Sequence, residues 1–258
     1  MGTELHVAAS TPIRQCDAAE WAARVELAAC YRLAAHFRLT DLIYTHISAR
    51  VPGNAPHFLI NAYGLLFDEI TASNLVKVTL AGDIISDSTG LGINPAGFLI
   101  HGAIHGARHD VGCVIHTHTT AGLAVAAQKH GLLPLTQHAM RFTGALAYHD
   151  YEGVALDPDE QARLVGDLGT HNAMILRNHG LLVCGPTVHD AFDLMIYLER
   201  ACLAQVAAMA GGTELNIPSP AVAAKVAAQF ARPGRKAPRN AWEALVRMLD
   251  RVDPGYRE

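Results

Sequence analysis

Three histidines have the spacing to bind one metal ion. His116 and His118 lie two residues apart at the end of the apolar segment VGCVIHTH, residues 111–118. Alternate side chains of a strand project from the same face, so a strand here would direct both imidazoles at one ion. His179 follows the apolar segment AMILR closely and precedes Gly180, which allows a tight turn. Three histidine ligands leave one coordination position open, as in catalytic metal sites.

The open position could bind and polarise a substrate oxygen and so stabilise an enolate or an alkoxide. This chemistry suits a small-molecule carbonyl or carboxylate substrate. We expect one divalent ion per chain, with zinc favoured and manganese or iron as alternatives, because imidazole binds all three. Iron would permit a different reaction, in which a non-haem Fe(II) oxygenase activates dioxygen.

Three further side chains are candidate catalytic groups. His101 lies in a segment that begins with Asn94-Pro95, a typical helix start, and it could move a proton. Tyr148 and Glu152 lie in the polar segment YHDYE, which follows an apolar stretch, and either could act as an acid or a base. The alternative interpretation is a packing role for His101 and a solvated loop for the other two.

The elements that position these residues follow from periodicity and capping signals. A capping box, Asp17-Ala18-Ala19-Glu20, begins an amphipathic helix that we expect to end near residue 38. The expected strands cover residues 43–51, 57–61, 75–80, 83–86, 111–118, 173–177 and 181–184. The further helices cover residues 94–109, 119–129, 157–169, 186–210, 221–230 and 240–251. Hairpins among the strands favour an α/β fold with a helix-covered, mostly antiparallel or mixed sheet over a doubly wound Rossmann sheet.

The composition is that of a folded protein, since 50% of the 258 residues are hydrophobic and the net charge is −4. This charge offers no basic surface to nucleic acid, and no apolar run reaches the ~20 residues that span a membrane. Five widely spaced cysteines without a C-x-x-C pair, and no visible signal peptide, indicate a cytoplasmic protein with reduced thiols. We expect an N-terminal arm over residues 1–16, one domain over 17–212 and a C-terminal helical tail over 213–258.

Several motifs together resemble the class II aldolase/adducin family over roughly residues 20–210. They are VIHTHT, the later NHG and the preceding segment NPAGFLIHGAIHGARHDVGC. The resemblance implies that His116, His118 and His179 are the metal ligands. It also implies an α/β/α sandwich around a central, mostly antiparallel sheet, and a homotetramer of fourfold symmetry with active sites at the subunit interfaces.

The resemblance extends to segments that contact substrate. THISAR, residues 45–50, is similar to the phosphate-binding turn of family aldolases, and AYGLLFDEI, residues 62–70, is similar to the next substrate loop. Two arginines could also bind a substrate carboxylate through a bidentate guanidinium, although a surface or interface contact is the alternative. The candidate substrate-binding residues are therefore His46, Ser48, Arg50, Tyr63, Gly64 and Arg141.

Gly97 departs from the sugar-phosphate aldolases of the family, which carry a catalytic glutamate at this place. Glycine cannot transfer a proton, and His46 alters the phosphate-binding turn, so the sequence argues against cleavage of a phosphorylated sugar. We expect a metal-dependent lyase that performs aldol cleavage or decarboxylation, since both leave a carbanion that a metal stabilises as an enolate. The adducin-like branch shares the AGF-type helix start, so a non-catalytic adducin-like binding protein is another alternative. The three retained histidines favour a working metal site.

Overall fold

The computed structural model describes residues 16–53, 56–153, 158–231 and 239–258. The described strands are β1 (His46–Arg50), β2 (His57–Ile60), β3 (Val76–Thr79), β4 (Ile84–Ser86), β5 (Cys113–Thr117), β6 (Ala147–His149), β7 (Ala173–Leu176) and β8 (Gly180–Gly185). The described helices are α1 (Ala18–His36), α2 (Pro95–Ala107), α3 (Thr120–Ala126), α4 (Gln137–Met140), α5 (Pro158–Leu168), α6 (Val188–Ala210), α7 (Pro220–Phe230) and α8 (Arg239–Val252). The short elements β6 and α4 were not predicted from the sequence. Of the predicted arm, residues 1–15 lie outside the described residues.

The strands form one sheet in the order β4-β3-β2-β1-β5-β8-β7-β6. Neighbouring strands are antiparallel except β6 and β7, which are parallel. Helix α6 contacts both α1 and α3, and these three helices contact strands β1, β5, β7 and β8. Helices α2 and α5 contact each other together with β1 and β6. This is the predicted α/β fold with a mostly antiparallel central sheet, and it is confirmed.

Strand alternation decides which side chains reach the site. Ile47 of β1 and Ile115 of β5 belong to the core that also contains α1 and α6. Val114 belongs instead to the core beneath α2 and α5. Successive side chains of a strand point to opposite faces, so His46 and His116 lie on the α2 side of the sheet. Their Cα atoms are paired across β1 and β5.

The C-terminal segment shares the main core. Leu249 of α8 and Tyr256 are buried in the cluster that contains α1. The backbone N–H groups of Ala72 and Ser73 donate to the carbonyl oxygens of Tyr256 and Glu258, at 3.0 and 2.8 Å. The division at residue 213 stays a prediction, but the last residues dock on the body of the protein. Within the described ranges, no helix is long and apolar enough to cross a bilayer.

Candidate metal centre

The three predicted metal ligands lie together at one end of the sheet. One nitrogen from each of His116, His118 and His179 lies within 4.8 Å of those from the other two. His116 is on β5, His118 follows the end of this strand, and His179 lies in the turn between β7 and β8. Because β8 pairs with β5, the turn is placed beside the strand end.

The turn that carries His179 has unusual backbone geometry. Asn178 has a φ of 59° and Gly180 a φ of 154°, both in the region that favours glycine. A Cβ atom on Gly180 would lie 2.4 Å from the carbonyl oxygen of Thr117, the last residue of β5. Glycine at position 180 therefore lets the turn approach β5 closely enough for His179 to join the other two imidazoles.

Hydrogen bonds engage Nδ1 of two of the ligands and leave Nε2 facing the other imidazoles. Nδ1 of His116 lies 3.0 Å from the carbonyl oxygen of Leu181, and Nδ1 of His118 lies 3.0 Å from the Asp41 carboxylate. Both acceptors take a proton from Nδ1, so in the neutral form of each ring the lone pair is on Nε2. The two Nε2 atoms are 2.8 Å apart. Neutral imidazoles that converge in this way are a donor set that fits a divalent metal ion.

Burial keeps two of the ligands in their neutral, metal-binding form. Burial, and next the neighbouring His179 and His118, hold the pKa of His116 well below its usual value. Burial, and next His118, lower the pKa of His179 to about 4. Metal binding requires the neutral imidazole, so these two rings need not lose a proton at neutral pH.

A cavity of about 440 Å³ opens beside the three histidines. Its wall includes Tyr44, Tyr63, Asn94 and Tyr151, and among the described residues no lysine or arginine lines it. The ring centroid of Tyr151 lies 6.3 Å from that of His179. A concave pocket with aromatic walls and a few polar groups is typical of small-molecule sites.

His46 lines this cavity, and a buried polar row lies behind it. Its ring stacks on His116 with a centroid distance of 5.2 Å, and its Nδ1 lies 3.1 Å from Nε2 of His101. Oγ of Ser48 bridges Nδ1 of His101 and Nε2 of His105, at 2.6 and 2.8 Å. His101 is fully buried and does not line the cavity, so it could influence a substrate only through His46.

Gly97 and His46 are complementary in shape. A Cβ atom on Gly97 would lie 2.4 Å from Cδ2 and 2.6 Å from Nε2 of His46, far inside contact distance. The imidazole therefore occupies the space that any side chain at position 97 would need. Gly97 and His46, the two sequence departures from the sugar-phosphate aldolases, are thus parts of one structural feature.

The two candidate arginines are engaged elsewhere in the chain. Arg50 donates to backbone carbonyls at and beyond the end of α2, including that of His105 at 2.7 Å. Arg141 forms an ion pair with Asp193 at 2.7 Å. Neither lines the cavity. Their roles in substrate binding stay predictions.

The two candidates from the YHDYE segment also have partners away from the cavity lining. The hydroxyl of Tyr148 accepts a hydrogen bond from the backbone of Leu132 at 3.1 Å. The carboxylate of Glu152 accepts two bonds from Nε of Arg163, at 2.8 and 3.0 Å. Their catalytic roles stay predictions. The substrate-binding role of Gly64, whose φ of 114° shapes the loop after the cavity-lining Tyr63, also stays a prediction.

Four cavity residues with polar side chains were not predicted as site residues: Asp41, Tyr44, Asn94 and Tyr151. Asn94 was predicted only as a helix cap, and its side chain does accept a bond from the backbone of Ala96. Tyr151 lies within the polar segment that supplied other candidates. Asp41 and Tyr44 lie between α1 and β1, in a loop without a motif, and the sequence offered no signal for them.

The chain is similar to proteins of a known family over most of its length. The family model for the "Class II Aldolase and Adducin N-terminal domain" matches residues 25–206. A solved aldolase II superfamily protein from Pseudomonas syringae is 56% identical, with 95% of this chain and 98% of that chain covered and a TM-score of 0.92. The structure of L-fuculose 1-phosphate aldolase from Glaciozyma antarctica PI12 is 27% identical, with 93% of each chain covered and a TM-score of 0.82.

Adducins also occur among the relatives. Alpha-adducin of Rattus norvegicus is 44% identical over 258 residues, which cover 93% of this chain but only 34% of the adducin. The resemblance noted from the histidine motifs is confirmed, and the chain belongs to the class II aldolase and adducin family.

Proposed function

We propose that the chain is a metal-dependent lyase that breaks a carbon–carbon bond next to a carbonyl or carboxylate group. The reaction is either aldol cleavage or decarboxylation. The substrate is a small molecule, and the metal is one divalent ion per chain, with zinc favoured over manganese and iron.

One observation carries this proposal: three imidazole nitrogens converge beside an open cavity. Hydrogen bonds hold the ring of His116 with Nε2 free, and burial keeps His179 neutral, so a metal ion would meet preformed ligands. The cavity then leaves room for a substrate to take the remaining coordination position. A binding protein without a reaction has no need of an open position on its metal.

When bound, the ion would supply positive charge that stabilises the electron pair left by carbon–carbon cleavage. The protein's own residues would orient the substrate. Tyr63, Asn94 and Tyr151 present polar groups from the cavity wall. His46 lines the cavity with Nδ1 engaged by His101, so Nε2 is the ring nitrogen that remains for a contact with substrate.

We also propose that the protein assembles as a homotetramer with neighbouring subunits beside the cavity. Leu42 and Tyr44 are 67% and 47% exposed. Tyr44 lines the cavity, and Leu42 follows the cavity-lining Asp41 in the sequence. Large apolar side chains exposed together are typical of surfaces that another chain covers. Multi-angle light scattering measures the mass directly, and a monomer at working concentrations would contradict this part of the proposal.

The first test is the metal content of protein purified without added metal, measured by mass spectrometry. We expect about one ion per chain, as for a single three-histidine site, and its loss in His116→Ala and His179→Ala. The matched control is His109→Ala, because His109 is exposed and lies beyond the end of α2. Loaded protein is then screened against aldols and hydroxylated aromatic acids, and turnover should follow metal occupancy.

The outcomes separate the proposed lyase from its alternatives. Zinc or manganese with metal-dependent turnover supports the lyase. Iron with oxygen consumption would replace it by an oxygenase. Failure to bind metal even after reconstitution would refute the catalytic proposal. It would leave the non-catalytic binding protein, the alternative that the similarity to alpha-adducin favours.

A further inference from the structure

We propose that Asp41 is a positioning residue of the metal centre, held in place by a strained loop between α1 and β1. This inference rests on the metal binding of the proposed function but not on the reaction. It adds a residue to the site that the sequence motifs do not include.

The contact between Asp41 and His118 is specific. Oδ2 of Asp41 lies 3.0 Å from Nδ1 of His118, so the carboxylate accepts the Nδ1 proton. Nδ1 and Nε2 point to different sides of an imidazole ring, and Asp41 therefore acts on the side away from the metal. A carboxylate in this position fixes the tautomer and the ring orientation, and it makes Nε2 a stronger ligand.

His118 depends on this contact more than His116 does. His116 lies within β5, and the backbone carbonyl of Leu181 in the paired strand holds its Nδ1. His118 lies beyond Thr117, the last residue of β5, so no ladder of strand hydrogen bonds fixes its backbone. The orientation of His118 therefore depends on a side chain from a loop instead of on the sheet.

The loop that carries Asp41 has a backbone conformation that its sequence disfavours. Leu42 has a φ of 48°, which costs a side chain with a Cβ atom free energy. The Leu42 side chain is 67% exposed, so burial in the core does not offset this cost. Arg38, with a φ of 58°, has an ordinary explanation, because it ends α1 in the left-handed conformation that helices commonly use.

The remaining position with positive φ also adjoins the site. Among the described residues the non-glycine residues with positive φ are Arg38, Leu42 and Asn178. Asn178 directly precedes His179, as Leu42 directly follows Asp41. Asparagine adopts positive φ more readily than most residues, so Leu42 is the one of these three positions whose strain has no local cause. Strain of this kind persists where the surrounding structure requires it, and it clusters at functional sites.

The test compares Asp41→Ala and Asp41→Asn with Asp150→Ala as the matched control. Asp150 is a largely exposed carboxylate near the same cavity wall that pairs with Arg177 instead of a histidine. Zinc affinity is measured by competition with a chelator, and the absorption spectrum of the cobalt-substituted protein reports ligand geometry. We expect Asp41→Ala to weaken zinc binding about 10- to 100-fold. Asp41→Asn should weaken it less, because its amide oxygen still accepts the Nδ1 proton.

A second readout does not need the metal. In the metal-free protein, ¹⁵N chemical shifts of His118 should show a proton on Nδ1, and Asp41→Ala should produce a mixture of tautomers. Leu42→Gly should raise the urea midpoint above that of Leu42→Ala, since only glycine relieves the strain.

Each outcome decides a separate claim. Wild-type protein that binds zinc, together with unchanged affinity and tautomer in Asp41→Ala, would overturn this inference and leave the lyase proposal standing. Wild-type protein that binds no metal would refute the lyase proposal, whereas the tautomer measurement still decides whether Asp41 positions His118. An equal loss of zinc affinity in Asp150→Ala would show that the effect comes from the loss of a negative charge. It would overturn the specific role of Asp41.

Discussion

The substitution Gly97→Ala tests how closely α2 and β1 are fitted around His46. The new Cβ atom would lie 2.4 Å from Cδ2 of the His46 ring. The ring has little freedom to move, because it stacks on His116 and its Nδ1 contacts His101. Either the helix must shift away from the sheet or the imidazole must leave its place.

The magnitude follows from three contributions. Forcing a methyl group into a packed interior costs about 1–3 kcal/mol. Displacing the ring also breaks the 3.1 Å contact between His46 and His101, and a buried polar group without a partner costs about 1–3 kcal/mol. Alanine favours a helix over glycine by about 1 kcal/mol, which offsets part of this. We expect a net loss of about 3 kcal/mol in the free energy of unfolding.

Urea unfolding of the metal-free protein measures this loss, and α2 provides its own control. Gly106 lies in the same helix, and a Cβ atom there would meet nothing within 4 Å. Gly106→Ala should therefore stabilise the protein by about 0.5–1 kcal/mol. In a His46→Ala background the clash is absent, and Gly97→Ala should then resemble the control. The reasoning is refuted if Gly97→Ala alone is as stable as Gly106→Ala. It is also refuted if the stability changes of His46→Ala and Gly97→Ala simply add in the double variant.

Two further predictions concern acid and the His179 turn. Burial lowers the pKa of His105 to about 3, against about 6.5 in an unfolded chain, so its contribution to stability is complete above pH ~6.5 and is lost as the pH falls toward 3. Between pH 7 and 4.5 the urea midpoint of His105→Gln should fall less steeply than that of the wild-type protein. Equal slopes would contradict this prediction. Gly180→Ala would bring a Cβ atom to 2.4 Å from the Thr117 carbonyl, so we expect zinc content to fall, whereas Gly166→Ala, with open space around it, should retain the metal. Full zinc content in Gly180→Ala would contradict this prediction and show that the turn can shift to accommodate the Cβ atom.

The sequence predicted those features of the structure that depend on residues close together in the chain. The H-x-H spacing of β5 placed His116 and His118 together because strand alternation is a property of the backbone. Asn94 and Pro95 gave the start of α2 because a helix cap is also local. Strand β6 was missed, since three residues are too few for a period of two to stand out, and its parallel pairing with β7 comes from elsewhere in the chain.

The site residues that were missed or displaced depend on distances between elements. His101, which lies one turn beyond Gly97 on α2, was predicted either to move a proton or to pack. The structure places the His46 ring between them and the cavity, which depends on the spacing of β1 and α2. Asp41 reaches His118 across 77 positions of sequence, a contact that no periodicity encodes.

The pairing of His46 with Gly97 also affects which substrates the cavity suits. In the sugar-phosphate aldolases that the chain resembles, an acidic side chain takes the place of Gly97. Here Asp41 is the one carboxylate that lines the cavity among the described residues, and its Oδ2 contacts Nδ1 of His118. A divalent ion held by three imidazoles would therefore keep most of its positive charge for the substrate, and charge attraction is strong at contact distance. A substrate that brings its own carboxylate gains most from this arrangement, which is why acids should be screened before neutral aldols.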